Sequence, residues 1–369
     1  MRQSVAGHRL HNQFITRSGP RDPARLVAWL GAVQAQEFAP AKWALGLRMP
    51  GGTTDSRIQR AFDAGRILRT HVLRPTWHFV TPKDIRWMLE LSAPHIRRQM
   101  STYDRVMGLD TRIMTRATAI IERALTDHEF LTRAELGEHL ARARLPAIGS
   151  HVGHIAMYAE LEGVICSGPR RGKQSTYGLL DRRAPGAARL TRGEAIETLT
   201  RRFLRSHGPA THRDLSWWSG LSAGEAKRGI EMSGARRVDA DGLTCWTLGA
   251  RAAPAVRGDA VHLLPIYDEF LNAYRDRRAE HLGPSLVASK KGGYGTFRHA
   301  VVIGGQVAGT WRVTPGRGDV KVILPRSRRL RPREERNLKI AVGRYRDFVA
   351  AWDDPNARGR GFTPSPGSC

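Results

Sequence analysis

TRGEAIETLTRRFLRSHGPATHRDLSWWSGLSAGEAKRGIEMSGARRVDADGLTCWTL, residues 191–248, is the stretch whose reading decides the fold. Leu199, Phe203 and Leu204 share one face of a helix, and Thr191 with Glu194 three residues on forms a capping box at its start. Gly208 and Pro209 stop that helix. A short helix then opens at Thr211 and runs through Leu215 and Trp218. A third covers Ala226 to Met232 behind the box made by Ser222 and Glu225. Two β-rich runs follow around Asp241-Gly242, a strong hairpin signal, and the first of them carries Arg236 and Arg237. Helix, turn, helix, helix and basic hairpin is the order of a winged helix, with residues 226–232 where a recognition helix would lie.

Working outward, the same order is expected twice more. Upstream, helices are expected over Arg116–Leu125, Thr132–Arg142 (Thr132 and Glu135 making the box) and Ser150–Glu162. A second wing follows, VICS and STYGLL, joined by a Gly-rich tip bearing Arg170, Arg171 and Lys173. A divergent copy occupies the amino-terminal part, with helices around Val5–Ile15, Ala24–Val33 and Thr54–Ala64 and a wing at Ile67–Val80. From Ala255 the pattern becomes strands, VHLLPIYDEF, FRHAVVIGGQVAGTWRV and DVKVILP, then a helix over Arg333–Trp352. The expected fold is therefore α+β: tandem winged-helix modules, three of them, followed by a small β-rich domain closed by a C-terminal helix. The expected segments are 1–112, 113–185, 190–250 and 255–352, with a disordered Pro, Gly, Arg and Ser tail at 353–369.

Composition narrows the function. Sixty Lys and Arg against 34 Asp and Glu give a formal charge of +26, which favours a polyanionic partner, and nucleic acid is the first. Only eight of those cations are lysines, so a GC-rich genome explains part of the bias. Arginine is nevertheless the side chain that grips phosphates bidentately. No run of eighteen apolar residues occurs and MRQSVAGHRLHNQF lacks the apolar core of a secretory signal, so a cytoplasmic, nucleoid-associated protein with no membrane partner is expected. Cys166, Cys245 and Cys369 have no spacing suited to a zinc site or a disulfide framework, so no metal and no cofactor are expected.

Five blocks then carry a resemblance: AVQAQEFAPAKWALGLR (32–48), VLRPTWHFVTPKDIRWML (72–89), GPATHRDLSWWSGL (208–221), LLPIYDEFLNAYRDR (263–277) and GTWRV (309–313). Together, and in this order, they resemble the AlkZ/YcaQ-type bacterial DNA glycosylases. The resemblance implies a monofunctional, monomeric glycosylase that releases cationic N-alkylated purines such as N7-alkylguanine from double-stranded DNA, with unhooking of interstrand crosslinks in some members. It also implies a catalytic Gln, hydrophobic, Gln or Asp motif, which stands here as Gln34-Ala35-Gln36.

The chemistry suits amides. An N7-alkylated guanine already carries positive charge, so its glycosidic bond breaks without a strong acid. The enzyme must hold the nucleotide, stabilise an oxocarbenium-like sugar and aim a water. Gln34 and Gln36 each offer an acceptor and two donors. On an extended segment they share a side, whereas on a helix they lie about 200° apart. As residues alone, Gln34, Gln36 and Glu37 also read as the polar end of an ordinary helix.

Further candidates are graded by the same logic. Arg69, His71, Arg74, Trp77 and His78 fall in or beside the first wing and are expected at DNA, although a buried Trp with a satisfied His reads equally well. Of Tyr267-Asp268-Glu269, on a strand only one acid could enter a shared site; Asp268 is the catalytic candidate, the alternative being an ion pair with Arg275 or Arg277. Trp217-Trp218 reads as core. Lys290 and Lys291 are candidates for phosphate contact. The competing function is a non-enzymatic transcription regulator reading an operator with the same modules.

Overall fold

Side-chain caps fix where several of the helices begin. In the computed structural model, which describes residues 5–240, 242–249, 255–275, 298–314 and 319–350, α1 (Val5–Asn12) leads into α2 (Pro23–Leu30), where Asp22 accepts from the Ala24 N–H and Pro23 sets the first turn. A two-residue strand β1 (Val33–Gln34) follows, then α3 (Phe38–Arg48), α4 (Asp55–Asp63) and the hairpin β2 (Leu68–His71) and β3 (Trp77–Val80). The long helix α5 (Ile85–Val106) connects this unit to the next.

The second unit repeats the plan with α6 (Thr111–Asp127), β4 (Leu131–Thr132), α7 (Arg133–Arg142), α8 (Gly149–Leu161), β5 (Ile165–Arg171) and β6 (Gln174–Leu179), ending in the short α9 (Leu180–Arg183). The third has α10 (Arg192–Ser206), α11 (His212–Ser219), α12 (Ala223–Ser233), β7 (Arg236–Ala240) and β8 (Leu243–Thr247). There a lone bridge, Ala210 to Trp246, stands where the other units have a short strand. The expected capping boxes at Thr132, Thr191 and Ser222 are all formed, and Thr211 with Asp214 adds another.

Among the described residues, the order helix, short strand or bridge, helix, helix, hairpin thus recurs three times. In the first unit it runs over α2, β1, α3, α4 and β2–β3, which corrects two expectations. The segment 38–48 is a helix that the spacing did not reveal, and α1 stands outside the repeat. Sheet order makes the relation concrete: β1-β3-β2 in the first unit matches β4-β6-β5 in the second.

The chain closes with β9 (Val261–Leu264), the one-turn α13 (Glu269–Asn272), β10 (Ala300–Ile303), β11 (Gln306–Val313), β12 (Val320–Ile323) and α14 (Pro332–Ala350), with the sheet ordered β12-β11-β10-β9. The expected strand through Asp268 stops at Leu264, because Pro265 has no N–H to continue a ladder and Tyr267 adopts φ 62°. Residues 353–369, Lys290 and Lys291 lie outside the described residues.

Burial ties the two ends together. One core packs Leu10, Leu30 and Phe79 with Leu263, Val301, Trp311 and Phe348. A second joins α5 to α10, α11 and α12 through Trp87, Phe203 and Trp218. Residues 109–179 keep a core of their own.

Candidate active site

β1 is short because its partner and its successor leave it little room. Val33 and Gln34 pair with Phe79 and His78, the Ala35 N–H donates to the Trp77 carbonyl at 2.7 Å, and the chain bends into α3 two residues later. Ala35 is fully buried, so the middle of the motif is a packing residue and its small size fits the core. Glu37 occupies the N-cap of α3 yet makes no side-chain cap. The loop is held from the side instead: Arg69 on β2 donates Nε to the Ala35 carbonyl (2.9 Å) and Nη2 to the Gln36 carbonyl (3.3 Å). Its guanidinium lies 4.2 Å from the centre of the Trp77 ring. Burial lowers Arg69 to about 10, which leaves it charged at neutral pH.

Around Gln34 the hydrogen bonds assign the amide. Its Oε1 accepts from Arg74 Nη2 at 3.1 Å and from Asn272 Nδ2. Arginine offers donors only, so the oxygen must face it and Nε2 points elsewhere, with no hydrogen-bond partner among the described residues. The Gln34 backbone N–H donates to Glu269 Oε1 at 2.7 Å, and Trp218 Nε1 donates to Glu269 Oε2 at 2.9 Å. Glu269 is 1% exposed. Burial pushes its carboxyl up, but His207, 3.4 Å away, the Arg74 charge and the Gln34 N–H outweigh this and hold it at about 2. Glu269 is therefore a carboxylate locked directly behind Gln34. Gln36 is half-buried and its Oε1 accepts from the Trp77 N–H at 3.3 Å.

Gln34 opens onto a cleft of about 650 Å³ whose walls include Arg74, His95, Gln99, Trp217, Asn272 and Arg275. Backbone from two units meets there: at Gly220, φ 74°, a Cβ would lie 2.3 Å from the Leu73 carbonyl oxygen, so only glycine fits. Leu73 itself is held at φ 64° immediately before Arg74-Pro75, a strained backbone at the cleft wall.

The sequence candidates are distributed unevenly. Gln34 and Arg74 line the cleft. Arg69, His71 and His78, expected at DNA, are buried. His71 Nδ1 meets Glu160 and its ring lies 4.4 Å from that of Trp77. His78 Nδ1 donates to the Thr76 carbonyl at 2.8 Å, and burial lowers this imidazole to about 3. Trp77 is half-buried and faces a separate cleft of about 830 Å³ with Arg133 and Tyr177. Arg170, on the β5–β6 hairpin, sits over Phe38 at 5.0 Å, and Arg171 pairs with Glu135 at 2.6 Å. Lys173, Arg236 and Arg237 are exposed.

Asp268 is corrected outright. It accepts a bidentate pair from Arg48 at 2.8 Å rather than from Arg275, and caps α13 through the Phe270 N–H; Arg277 lies outside the described residues. Its neighbour Glu269 reaches the motif. Reading 268–272 as an N-cap and a helical turn would have revealed this, since a capping Asp has its oxygens committed while the next residue is free to turn inward. Asn272, one turn on, was missed for the same reason. Trp218 is core as expected, but Trp217 lines the cleft and donates to the Asn272 carbonyl at 3.0 Å.

The cleft thus combines cationic walls, an oriented amide and a buried anion behind it, on a scaffold of repeated helix-and-hairpin units, and comparison with known proteins places such a chain among the DNA glycosylases. The chain belongs to the AlkZ-like family of these enzymes, whose model, described as DNA glycosylase AlkZ-like, matches residues 27–348. It is similar to the interstrand DNA cross-link repair glycosylase of Streptomyces sahachiroi, 24% identical over 329 residues, covering 84% of this chain and 87% of that protein. The solved structure of Streptomyces sahachiroi DNA glycosylase AlkZ matches with a TM-score of 0.78 at 22% identity, covering 94% of this chain and 97% of the other. The protein is a DNA-repair glycosylase, hydrolysing N-glycosidic bonds. Among the described residues no helix is long and apolar enough to cross a membrane.

Proposed function

We propose that the enzyme works as a monomer on double-stranded DNA in the cytoplasm, at the nucleoid, through three winged-helix modules. It excises cationic N-alkylated purines such as N7-alkylguanine, and it unhooks crosslinks made through the same atom. The observation that carries this reading is the Gln34 amide, fixed by Arg74 and Asn272 on the wall of a basic cleft.

A leaving base that already bears charge needs no buried acid, so catalysis reduces to placing a nucleophile and stabilising a cationic sugar. Gln34 Nε2 donates to the water or to a sugar oxygen, because Oε1 is occupied. Gln36 Oε1, which holds one N–H from Trp77 and keeps a second lone pair, accepts from the water. Glu269 stays ionised and contributes a negative field from behind Gln34, while Arg74 and Arg275 meet the flanking phosphates. Asp268 acts at one remove, holding the start of α13 so that Glu269 and Asn272 face the motif. Arg236, Arg237 and Lys173 provide backbone contacts from exposed hairpins.

Incubation with duplex containing N7-methylguanine should leave abasic sites that alkali cleaves. Gln34→Ala with Gln36→Ala should abolish them while DNA binding is retained. Normal excision by that double variant would overturn the assignment.

A further inference from the structure

The long helix α5 leaves the body of the protein beside the cleft. His95, Gln99 and Tyr103 recur every four residues and so share one face, and all three line the cleft that holds Gln34. Val106 continues the row three residues further. Exposure rises along it: His95 is half-buried, Gln99 exposed, Tyr103 63% exposed and Val106 83% exposed. This end of the helix is held firmly, because His154 on α8 donates to Asp104 at 2.7 Å and His151 donates to the Met107 carbonyl at 3.2 Å. Tyr103 and Val106 are two of the five large apolar side chains exposed among the described residues, and they stand three positions apart on an anchored helix beside the cleft. Arg98 and Arg105 on the same segment are exposed as well, so the surroundings favour a polyanion.

We propose that Tyr103 and Val106 form a wedge that enters the DNA base stack at the lesion and fills the gap left when the damaged nucleotide turns into the cleft. This rests on the glycosylase reading of that cleft. Extruding a base costs stacking and pairing energy, and an apolar side chain inserted at the vacated step repays part of it. Tyr103 is placed for the task because its ring stands at the rim of the cleft that would receive the nucleotide.

Tyr103→Ala combined with Val106→Ala removes the wedge without opening a core, and an unchanged melting temperature verifies that. Two readouts decide. On duplex carrying one N7-methylguanine, kcat/KM should fall about ten- to hundredfold further than on single-stranded DNA with the same lesion, the scale of one lost aromatic stack, because in the single strand nothing need be unpaired. On duplex with a tetrahydrofuran abasic analogue, which requires no excision, wild type should bind tighter than to intact duplex and the variant should lose that preference. Tyr103→Trp with Val106 intact should retain both. Equal losses on single and double strands, or an abasic-site preference unchanged in the variant, would overturn the wedge. If wild type leaves N7-methylguanine in place, the lesion assignment falls while the abasic-site arm still judges the wedge.

Discussion

The first and second units place the same short strand in front of the same helix and treat the junction in opposite ways. In the second, Thr132 ends β4, caps α7 and shares a reciprocal box with Glu135. In the first, β1 ends in Gln34, α3 starts without a side-chain cap, and the intervening backbone is held by Arg69 from the next strand. A capping side chain must fold back onto its own helix. Arg69 is a donor only and binds the Ala35 and Gln36 carbonyls, so it braces the bend without capping α3. The glutamines proposed for catalysis thus stand just before a locally suboptimal helix start, the kind of exception expected where local rules yield to function.

The comparison breaks most severely if the arginine is lost. Arg69→Ala leaves two motif carbonyls without their donor and removes the guanidinium from Trp77; stability should drop by roughly 2–4 kcal/mol in chemical denaturation, and excision should be lost even under conditions where the variant is folded. Less costly, Glu269→Gln should reshape the acid limb of the stability curve. The carboxyl is held at about 2 against an ordinary value of 4.5, so its contribution is complete above about pH 4.5 and is lost as the pH falls through 2. Wild type should lose on the order of 3 kcal/mol across that window, whereas the variant should be flatter there. Thr132→Ala should cost about 1 kcal/mol through the lost cap and leave excision unchanged, since the second unit's junction carries no chemistry. Smallest of all, Glu37→Ser restores a cap to α3 and should raise stability by about 0.5–1 kcal/mol; no gain in thermal denaturation would mean that the bend braced by Arg69 keeps the serine hydroxyl from the α3 N–H groups.

The contrast also explains what was legible in the sequence. Residues 191–248 could be read almost to their ends because the boxes at Thr191 and Ser222 and the Asp-Gly turn are local signals, decided within four residues. The helix at 38–48 was hidden: its start lacks a capping box, Pro40 interrupts the pattern, and it is buried on nearly every side, so no amphipathic period marks it. The Gln34-Ala35-Gln36 motif was found through resemblance; it begins on a strand and bends at Gln36, so of the two amides Gln34 is the one that lines the cleft. What could not be read was the inward turn of Arg69, His71 and His78. Charged residues on a hairpin look like a DNA-facing wing until it is known that β1 covers one edge and α8 stands against the other, a consequence of contacts some 90 residues apart in the chain. Asp268 and Glu269 were exchanged for the same reason, since Arg48 lies 220 residues from its partner.

Arg344 on the final helix donates to the carbonyls of Gly46, Leu47 and Met49, closing the end of α3, and Phe348 lies so tightly over Gly46 that a Cβ there would be 2.4 Å from its ring. During synthesis, the strand and helix that frame the glutamines must wait for the final helix before their supports arrive, since Arg344 lies 298 residues beyond Gly46. A premature stop between residues 275 and 332 would thus release a product whose second and third units can still assemble while the first stays uncovered, exposing apolar surface to aggregation. Residues made early are among the last to be secured.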